Sequence, residues 1–416
     1  MKKYGLIGFP LGHSFSPQIH ALLGDYEYKL YPMNEDQVAP FLENCPLEAL
    51  NVTIPYKEKV IPSLARISDE AKRIGSVNTI VKQPSGELWG YNTDYFGFSA
   101  LINYYGLSPK GKKALILGSG GSSKTAKAVL TDMGAREVVV ISRGGENNYT
   151  NLHLHKDAEL IVNTTPLGMY PKNGIAAVNL RDFPNCTGVA DLVYNPGKTA
   201  LLLQAEELGI TCGYGLSMLV AQAIRAAEFF FDTTYPEDTL PRVLSEVAAK
   251  MRNIILVGMP GCGKSTVGKK IAAMLDREFL DSDEEIKKET GKSPAEWITE
   301  EGEAKFREIE SKVLENLGKQ SGKVIATGGG VVTVPENKNL LRQNGSVFFI
   351  NRDLNLLATK GRPLSGGIEV RQALYEKRLH AYRDFCDEEI TSNGDLTIEK
   401  TAEMIINSFK KISEKG

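Results

Sequence analysis

The sequence predicts an α/β chain built on parallel sheets, with two separate nucleotide-binding cores. Short β-branched runs alternate with helical stretches along the whole length. Several of these runs pass directly into glycine-rich turns, as strands of parallel sheets do. Two strand–glycine–helix units stand far apart, at Gly118 and at Gly258, and each needs its own sheet.

Bulk properties narrow the class. At about 150 residues per domain, 416 residues leave room for roughly two to four domains. With 42% hydrophobic and 24% charged residues, the chain can bury several cores. The formal net charge is −2 with no long run of one sign, which argues against a nucleic-acid groove or a membrane surface. Five scattered cysteines with no Cys-x-x-Cys pair argue against a disulfide framework or a zinc site and suit a reducing compartment. The first apolar run is broken by Gly8 and Pro10, too early for a signal peptide, and no stretch approaches membrane-span length. A cytoplasmic protein is expected.

The first region carries four polar clusters: His13-Ser14-Phe15-Ser16-Pro17, Asn51-Val52-Thr53-Ile54-Pro55-Tyr56-Lys57, Ser76-Val77-Asn78-Thr79 and Tyr91-Asn92-Thr93-Asp94. Taken singly, Asn–Thr pairs are more often turns and caps. Together they offer the small hydroxyl and amide groups that a polyhydroxylated monoanion requires. Lys57 is suited to pass a proton to a carbonyl oxygen during hydride transfer, with Asp94 as its neighbouring carboxylate.

Ala114-Leu115-Ile116-Leu117 reads as a strand, and Gly118-Ser119-Gly120-Gly121-Ser122-Ser123 as its turn, close to G-x-G-x-x-G with Ser123 in the last place. The next strand, Val138 to Ile141, ends in Ser142-Arg143. A cation there suits the 2′-phosphate of NADP, whereas an NAD site places a carboxylate there; a solvated strand end is the other reading. Leu160-Ile161-Val162 is a further strand. Glu237 to Lys250 reads as a polar helix that leads through Met251-Arg252 into strand Ile254 to Val257, so the junction is placed near 245–252.

Gly258-Met259-Pro260-Gly261-Cys262-Gly263-Lys264-Ser265 matches G-x-x-x-x-G-K-[ST] between that strand and a helix with Val267, Ile271 and Leu275 on one face. The glycines turn backbone N–H groups toward phosphate oxygens at a helix N-terminus. Lys264 can reach the β- and γ-phosphates of a bound nucleotide, and Ser265 can ligate Mg²⁺. Cys262 reads as a small residue in a tight loop. In Phe279-Leu280-Asp281-Ser282-Asp283 two carboxylates at i, i+2 beyond a strand are expected on one side, one for Mg²⁺ and one for a substrate hydroxyl. Phe306-Arg307 and Glu310 follow on a helix, where a lone Arg307 would pair with Glu303 or Glu310. Ile325-Ala326-Thr327-Gly328-Gly329-Gly330 ends a strand with backbone that a ligand can approach. Arg362-Pro363-Leu364 sits in a short lid, Gly361 to Gly367, and Arg378 and Tyr382 lie on the next helix.

The order phosphate loop, Asp-x-Asp, Phe-Arg, Gly-Gly-Gly, Arg-Pro-Leu, then Arg with Tyr four residues on resembles the shikimate kinase family over nearly all of 251–416. The resemblance implies that Asp283, Arg307, Gly329, Gly330 and Arg378 hold shikimate, with Asp283 orienting or deprotonating its hydroxyl. ATP would lie on Gly261, Cys262, Gly263, Lys264, Ser265, Thr266 and Arg362, the last closing over the phosphates. The metal positions would be Ser265 and Asp281. The clusters before residue 97, with Asn163-Thr164-Thr165-Pro166-Leu167-Gly168-Met169, Asp191-Leu192-Val193-Tyr194 and Gly215 to Gln222, resemble the shikimate dehydrogenase family from about 4 to 235. That resemblance implies substrate contacts from Ser14, Ser16, Asn51, Thr53, Asn78, Tyr194 and Gln222, and a catalytic pair, Lys57 and Asp94. NADP would lie on Gly118, Gly120, Gly121, Ser122, Arg143, Thr164 and Gly215. His13 would position its loop.

The expected layout is a two-lobed dehydrogenase followed by a kinase. The substrate lobe spans 1–97 and 215–245, the Rossmann-like NADP lobe 98–214, and a P-loop domain with a parallel sheet 251–416. The expected ligands are NADPH, ATP, Mg²⁺, 3-dehydroshikimate and shikimate, with no nucleic acid or membrane and with a homodimer considered. By these resemblances, the product of the first half would be the substrate of the second. Two alternatives stand: an NAD-linked quinate/shikimate dehydrogenase in the first half, or one half serving as a non-catalytic binding or regulatory module.

Overall fold

The computed structural model describes residues 2–12, 14–358, 367–394 and 396–414; His13 and Arg362 lie outside these. The chain divides into two compact units, Met1–Tyr194 with Leu201–Val247, and Asn195–Ala200 with Ala248–Gly416. The division falls within helix Thr239–Met251, the helical stretch read at 237–250.

The first unit opens with β1 (Lys3–Gly8), β2 (Glu27–Pro32), β3 (Ala49–Val52), β4 (Arg66–Ile67), β5 (Thr79–Lys82) and β6 (Leu88–Tyr91). They form one sheet in the order β2-β1-β3-β5-β6-β4. β1, β2 and β3 are parallel, but β5 runs antiparallel to both β3 and β6. Asn51 pairs with Thr79 across β3 and β5. The end of β3 and the start of β5 therefore share one edge, and Asn51-Val52-Thr53 meets Ser76-Val77-Asn78 there. Leu50, Val52, Val77 and Ile80 fill the core beneath.

The second sheet holds β7 (Lys113–Leu117), β8 (Glu137–Ile141), β9 (Leu160–Asn163), β10 (Gly188–Asp191) and β11 (Thr211–Tyr214), all parallel, in the order β11-β10-β9-β7-β8. β7 is buried at every position, as an apolar run with helices on both faces requires. The strand order reverses between β7 and β9. Open α/β sheets bind ligands in the crevice at such a switch point.

The second unit has β12 (Asn253–Val257), β13 (Phe279–Asp281), β14 (Val324–Ala326), β15 (Gly345–Asn351) and β16 (Glu388–Thr391). These are parallel in the order β13-β14-β12-β15-β16. The central strand β12 is wholly buried and delivers the chain into the loop at Gly258. Gly258 has φ +149°, and a Cβ on it would lie 2.7 Å from the carbonyl oxygen of Ile350, so a side chain is excluded twice over. Helix Lys264–Leu275 buries Val267 and Ile271, with Leu275 packed at the core edge. No helix among the described residues is long and apolar enough to cross a membrane.

Candidate active sites

In the first unit, Lys57 follows β3 and Asp94 lies in the first turn of helix Thr93–Tyr104. That helix starts cleanly because Asn92 Oδ1 accepts the Tyr95 N–H at 3.2 Å. Lys57 Nζ donates to Asp94 Oδ2 at 2.6 Å, with the lysine side chain 23% and the aspartate 7% exposed. The helix N-terminus favours the carboxylate. One side of the lysine is thus tied to a buried anion while the other stays reachable.

Amides surround this pair. Asn78 Oδ1 accepts from the Thr93 N–H at 2.7 Å, and its Nδ2 donates to Gln222 Oε1 at 3.4 Å. Gln222 comes from helix Gly215–Phe231, which crosses Thr93–Tyr104 closely at Gly97, where a Cβ would lie 2.9 Å from the Met218 carbonyl. Asn51 Nδ2 donates to the Asn78 carbonyl at 3.2 Å and to Thr79 Oγ1 at 3.0 Å. Ser14 Oγ donates to Ser16 Oγ at 3.1 Å, and Phe15 between them packs edge-on against Tyr194, centroids 6.2 Å apart. Thr53 donates its N–H to the Ile7 carbonyl at 2.9 Å, which fixes the turn into Lys57.

Two buried groups behind these residues carry no signature in the sequence. Tyr28 OH donates to Asn51 Oδ1 at 2.8 Å. His20 stacks on Tyr28, centroids 3.8 Å apart, and meets the Tyr26 hydroxyl at 2.6 Å through Nδ1. Burial holds the His20 pKa down to about 3, so the ring is neutral. The strand spacing of β2 shows only an aromatic stripe; nothing local announces a partner 23 residues away.

At the second sheet, Gly118 has φ +107° and would clash with Thr164 Oγ1 and Thr165 Cγ2 if it carried a side chain. Thr164 Oγ1 is engaged with the Leu117 carbonyl at 2.8 Å. Gly120 caps helix Gly121–Asp132 without a side-chain hydrogen bond, and a Cβ on Gly120 or Gly121 would meet nothing within 4 Å. First-turn N–H groups at Gly121 and Ser122 therefore face open space, which fits a pyrophosphate. Arg143 is exposed at the end of β8 and has no ion-pair partner among the described residues, which fits an additional phosphate. Gly215 serves packing: its Cβ would lie 2.6 Å from the Leu192 carbonyl group.

In the second unit, Gly261 and Gly263 have φ +87° and +101°. Lys264 Nζ lies 2.8 Å from the Gly258 carbonyl and 3.1 Å from that of Met259, inside the loop's own turn. Cys262 is 1% exposed, its Sγ 3.9 Å from the same ammonium. Thr266 is exposed on the following turn. Ser265 Oγ donates to Asp281 Oδ2 at 2.6 Å, so the hydroxyl and carboxylate expected at the metal stand together. This all-oxygen pair suits Mg²⁺, which takes few protein ligands besides water and phosphate. No cluster of three or more metal-ligating side chains occurs among the described residues.

The Asp281–Asp283 relation differs from the i, i+2 strand geometry expected. Asp281 ends β13 and caps helix Ser282–Thr290, accepting the Asp283 N–H at 3.0 Å, and Asp283 already sits in the first helical turn. The strand stops at Asp281, two residues short of the point where alternation would place Asp283 beside it. Asp283 remains accessible, yet surrounding protein and then the charge of Asp281 push its carboxyl above the ordinary range.

Asp283, Arg307 and Arg378 converge on Gly328-Gly329-Gly330. A Cβ at Gly328 would lie 2.9 Å from Asp283 Oδ1, one at Gly329 2.7 Å from Pro260 of the phosphate loop, and one at Gly330 would fall on the Arg307 guanidinium. Arg378 Nη1 donates to the Gly329 carbonyl at 3.0 Å, as does Tyr382 OH at 2.5 Å. The glycines therefore seat protein side chains as well as leaving room for a ligand. Arg307, 13% exposed, donates to Glu310 at 2.7 Å and to Glu303 at 2.8 Å, so both ion pairs considered for it form. Glu310 is 1% exposed; burial raises its pKa against the pull of Arg307. Its Oε1 and Arg307 Nε are buried without partners.

The class defined here is a nucleotide-dependent oxidoreductase unit joined to a P-loop phosphotransferase unit. Residues 6–80 match the shikimate dehydrogenase substrate-binding domain, and residues 260–410 match shikimate kinase. Shikimate dehydrogenase (NADP(+)) of Clostridium beijerinckii is 37% identical over 250 residues, 55% of this chain and 92% of that protein. The crystal structure of a chorismate mutase/shikimate 5-dehydrogenase fusion protein from Clostridium acetobutylicum aligns with a TM-score of 0.56 at 33% identity, covering 59% of this chain and 97% of that one. Shikimate 5-dehydrogenase from Thermus thermophilus, in complex with NADP(H) and shikimate, aligns at 0.53 and 29% identity over 59% of this chain and all of that one (100%). The chain belongs to the shikimate dehydrogenase family and carries a shikimate kinase domain at its C-terminal end.

Proposed function

We propose that the chain is a bifunctional enzyme that reduces 3-dehydroshikimate to shikimate with NADPH and phosphorylates the shikimate 3-hydroxyl with MgATP. The observation that carries this reading is that each unit pairs a nucleotide-binding turn with groups suited to one hydroxylated acid. The first has Lys57–Asp94 at 2.6 Å among amides and hydroxyls, and the second has Asp283 with two guanidinium groups around Gly328–Gly330. The substrate lobe is read as 1–97 with 215–245, the NADP lobe as 98–214 and the kinase as 251–416.

In the first unit NADPH supplies a hydride, held at Gly120, Gly121 and Ser122, with Arg143 on its 2′-phosphate. Lys57 donates a proton to the ketone oxygen as the carbon is reduced, and Asp94 keeps the ammonium in place. Ser14, Ser16, Asn51, Thr53, Asn78, Tyr194 and Gln222 bind the ring hydroxyls and carboxylate. In the second unit MgATP supplies the phosphoryl group, with Ser265 and Asp281 toward the metal and Lys264 toward the phosphates. Arg307 and Arg378 take the carboxylate through guanidinium forks. Asp283 orients the hydroxyl and accepts its proton.

Incubating the whole chain with dehydroshikimate, NADPH and MgATP, and following shikimate and its 3-phosphate by mass spectrometry, tests both steps. Preferential turnover of quinate with NAD would overturn the first assignment, and accumulation of unphosphorylated shikimate the second.

A further inference from the structure

The stretch that leaves β15 runs along the phosphate loop and touches it at several points. The Ile350 carbonyl abuts Gly258, and the Ala358 N–H donates to the Gly261 carbonyl at 3.2 Å. Between these contacts stands Arg352, whose Nη1 lies 3.6 Å from where Gly263 would carry a Cβ. Its Nε is buried with no hydrogen-bond partner, and the guanidinium forms no ion pair among the described residues. Neighbouring cations are engaged: Arg371 Nη1 donates to the Leu354 carbonyl at 2.8 Å, and Lys264 to the loop's own carbonyls. A buried guanidinium nitrogen without an acceptor is unfavourable, and an anion at this position would relieve it.

We propose that Arg352 is a nucleotide-binding residue of the second unit, its guanidinium taking a phosphate oxygen of the bound nucleoside triphosphate at the rim of the loop. This rests on reading that unit as a kinase. The planar fork suits a phosphate, and a positive charge beside Gly263 adds to the field of the helix N-terminus. No local motif marks it, because Arg352 lies outside the loop motif and reaches the loop only through the pairing of β12 with β15.

Calorimetric titration of the full chain with ADP and with inorganic tripolyphosphate tests the assignment. Arg352→Ala is expected to weaken both by about tenfold, and Arg352→Lys to restore most of the loss. Arg352→Gln, which keeps the side-chain length, replaces the alanine variant if the latter lowers the melting temperature. ADP affinity within about twofold of wild type in both neutral variants would overturn the proposal. So would loss of ADP binding with tripolyphosphate affinity intact, which would mark a contact to the base. A wild-type chain that binds ADP but does not phosphorylate shikimate would sink the kinase reading alone, since the titrations still score Arg352. Absence of any nucleotide binding would sink both.

Discussion

Tyr28 gives its phenolic proton to Asn51 Oδ1 across 2.8 Å, and so decides which way that amide faces. Asn51 then has its Nδ2 committed to Asn78 and Thr79. Tyr28→Phe leaves the ring stacked on His20 but frees Asn51 to flip. The expected result is a KM for the acid substrate raised about three- to tenfold with kcat little changed, and a stability loss of about 1 kcal/mol. Steady-state kinetics with NADPH and denaturant unfolding check it.

Lys57→Ala should lower the dehydrogenase kcat by about 10²- to 10⁴-fold and leave shikimate phosphorylation at the wild-type rate. Asp283→Ala should do the reverse. Loss of both activities from either change would contradict independent sites.

His20 sets a pH dependence. Its folded pKa of about 3 lies below the ordinary 6.5, so the unfolded chain binds the proton more readily. Stability is therefore intact above pH 6.5 and falls as the pH drops from there toward about 3, with a limiting slope of about 1.4 kcal/mol per pH unit from this group. Comparing the melting temperature of wild type and His20→Gln across this range should show a shallower acid loss in the variant, even though its neutral-pH stability is lower.

The base proposed for the second unit, Asp283, would work only when ionised, and surrounding protein together with Asp281 holds its carboxyl above the usual range. The acid limb of the kinase pH–rate profile should accordingly lie above the ordinary carboxylate value. Asp283→Asn should remove that limb together with most of the rate.

A methyl group at residue 329 would press on Pro260. Gly329→Ala is expected to destabilise the second unit by about 1–3 kcal/mol and to raise the KM for ATP, through displacement of the phosphate loop. Unchanged nucleotide affinity in this variant would show that the loop accommodates the methyl without moving.

Much of the architecture was legible because parallel strands announce themselves. β7, β12 and β15 are continuous apolar runs, and Gly118 and Gly258 punctuate two of them where the backbone demands it. The reversal of β5 was not legible, since its pattern Thr79-Ile80-Val81-Lys82 carries no direction. Yet that reversal brings the Asn51 and Asn78 motifs to one edge. The phosphate-loop residues could be read from spacing alone. The partners of Arg307 were visible as i−4 and i+3 neighbours on one helix, but the depth at which Glu310 is buried was not. Tyr28 and Arg352 depend on strand pairing that no local motif encodes. Arg362, read as part of a short lid, lies outside the described residues.

The thiol inside the phosphate loop has a practical consequence. Cys262 is sealed from solvent by the same turn that holds Lys264. A small alkylating reagent reaches it only when that turn opens, so the speed of its labelling counts openings. Peptide mapping separates this cysteine from the other four. The native chain thus carries its own chemical clock for loop motion, readable without an added probe.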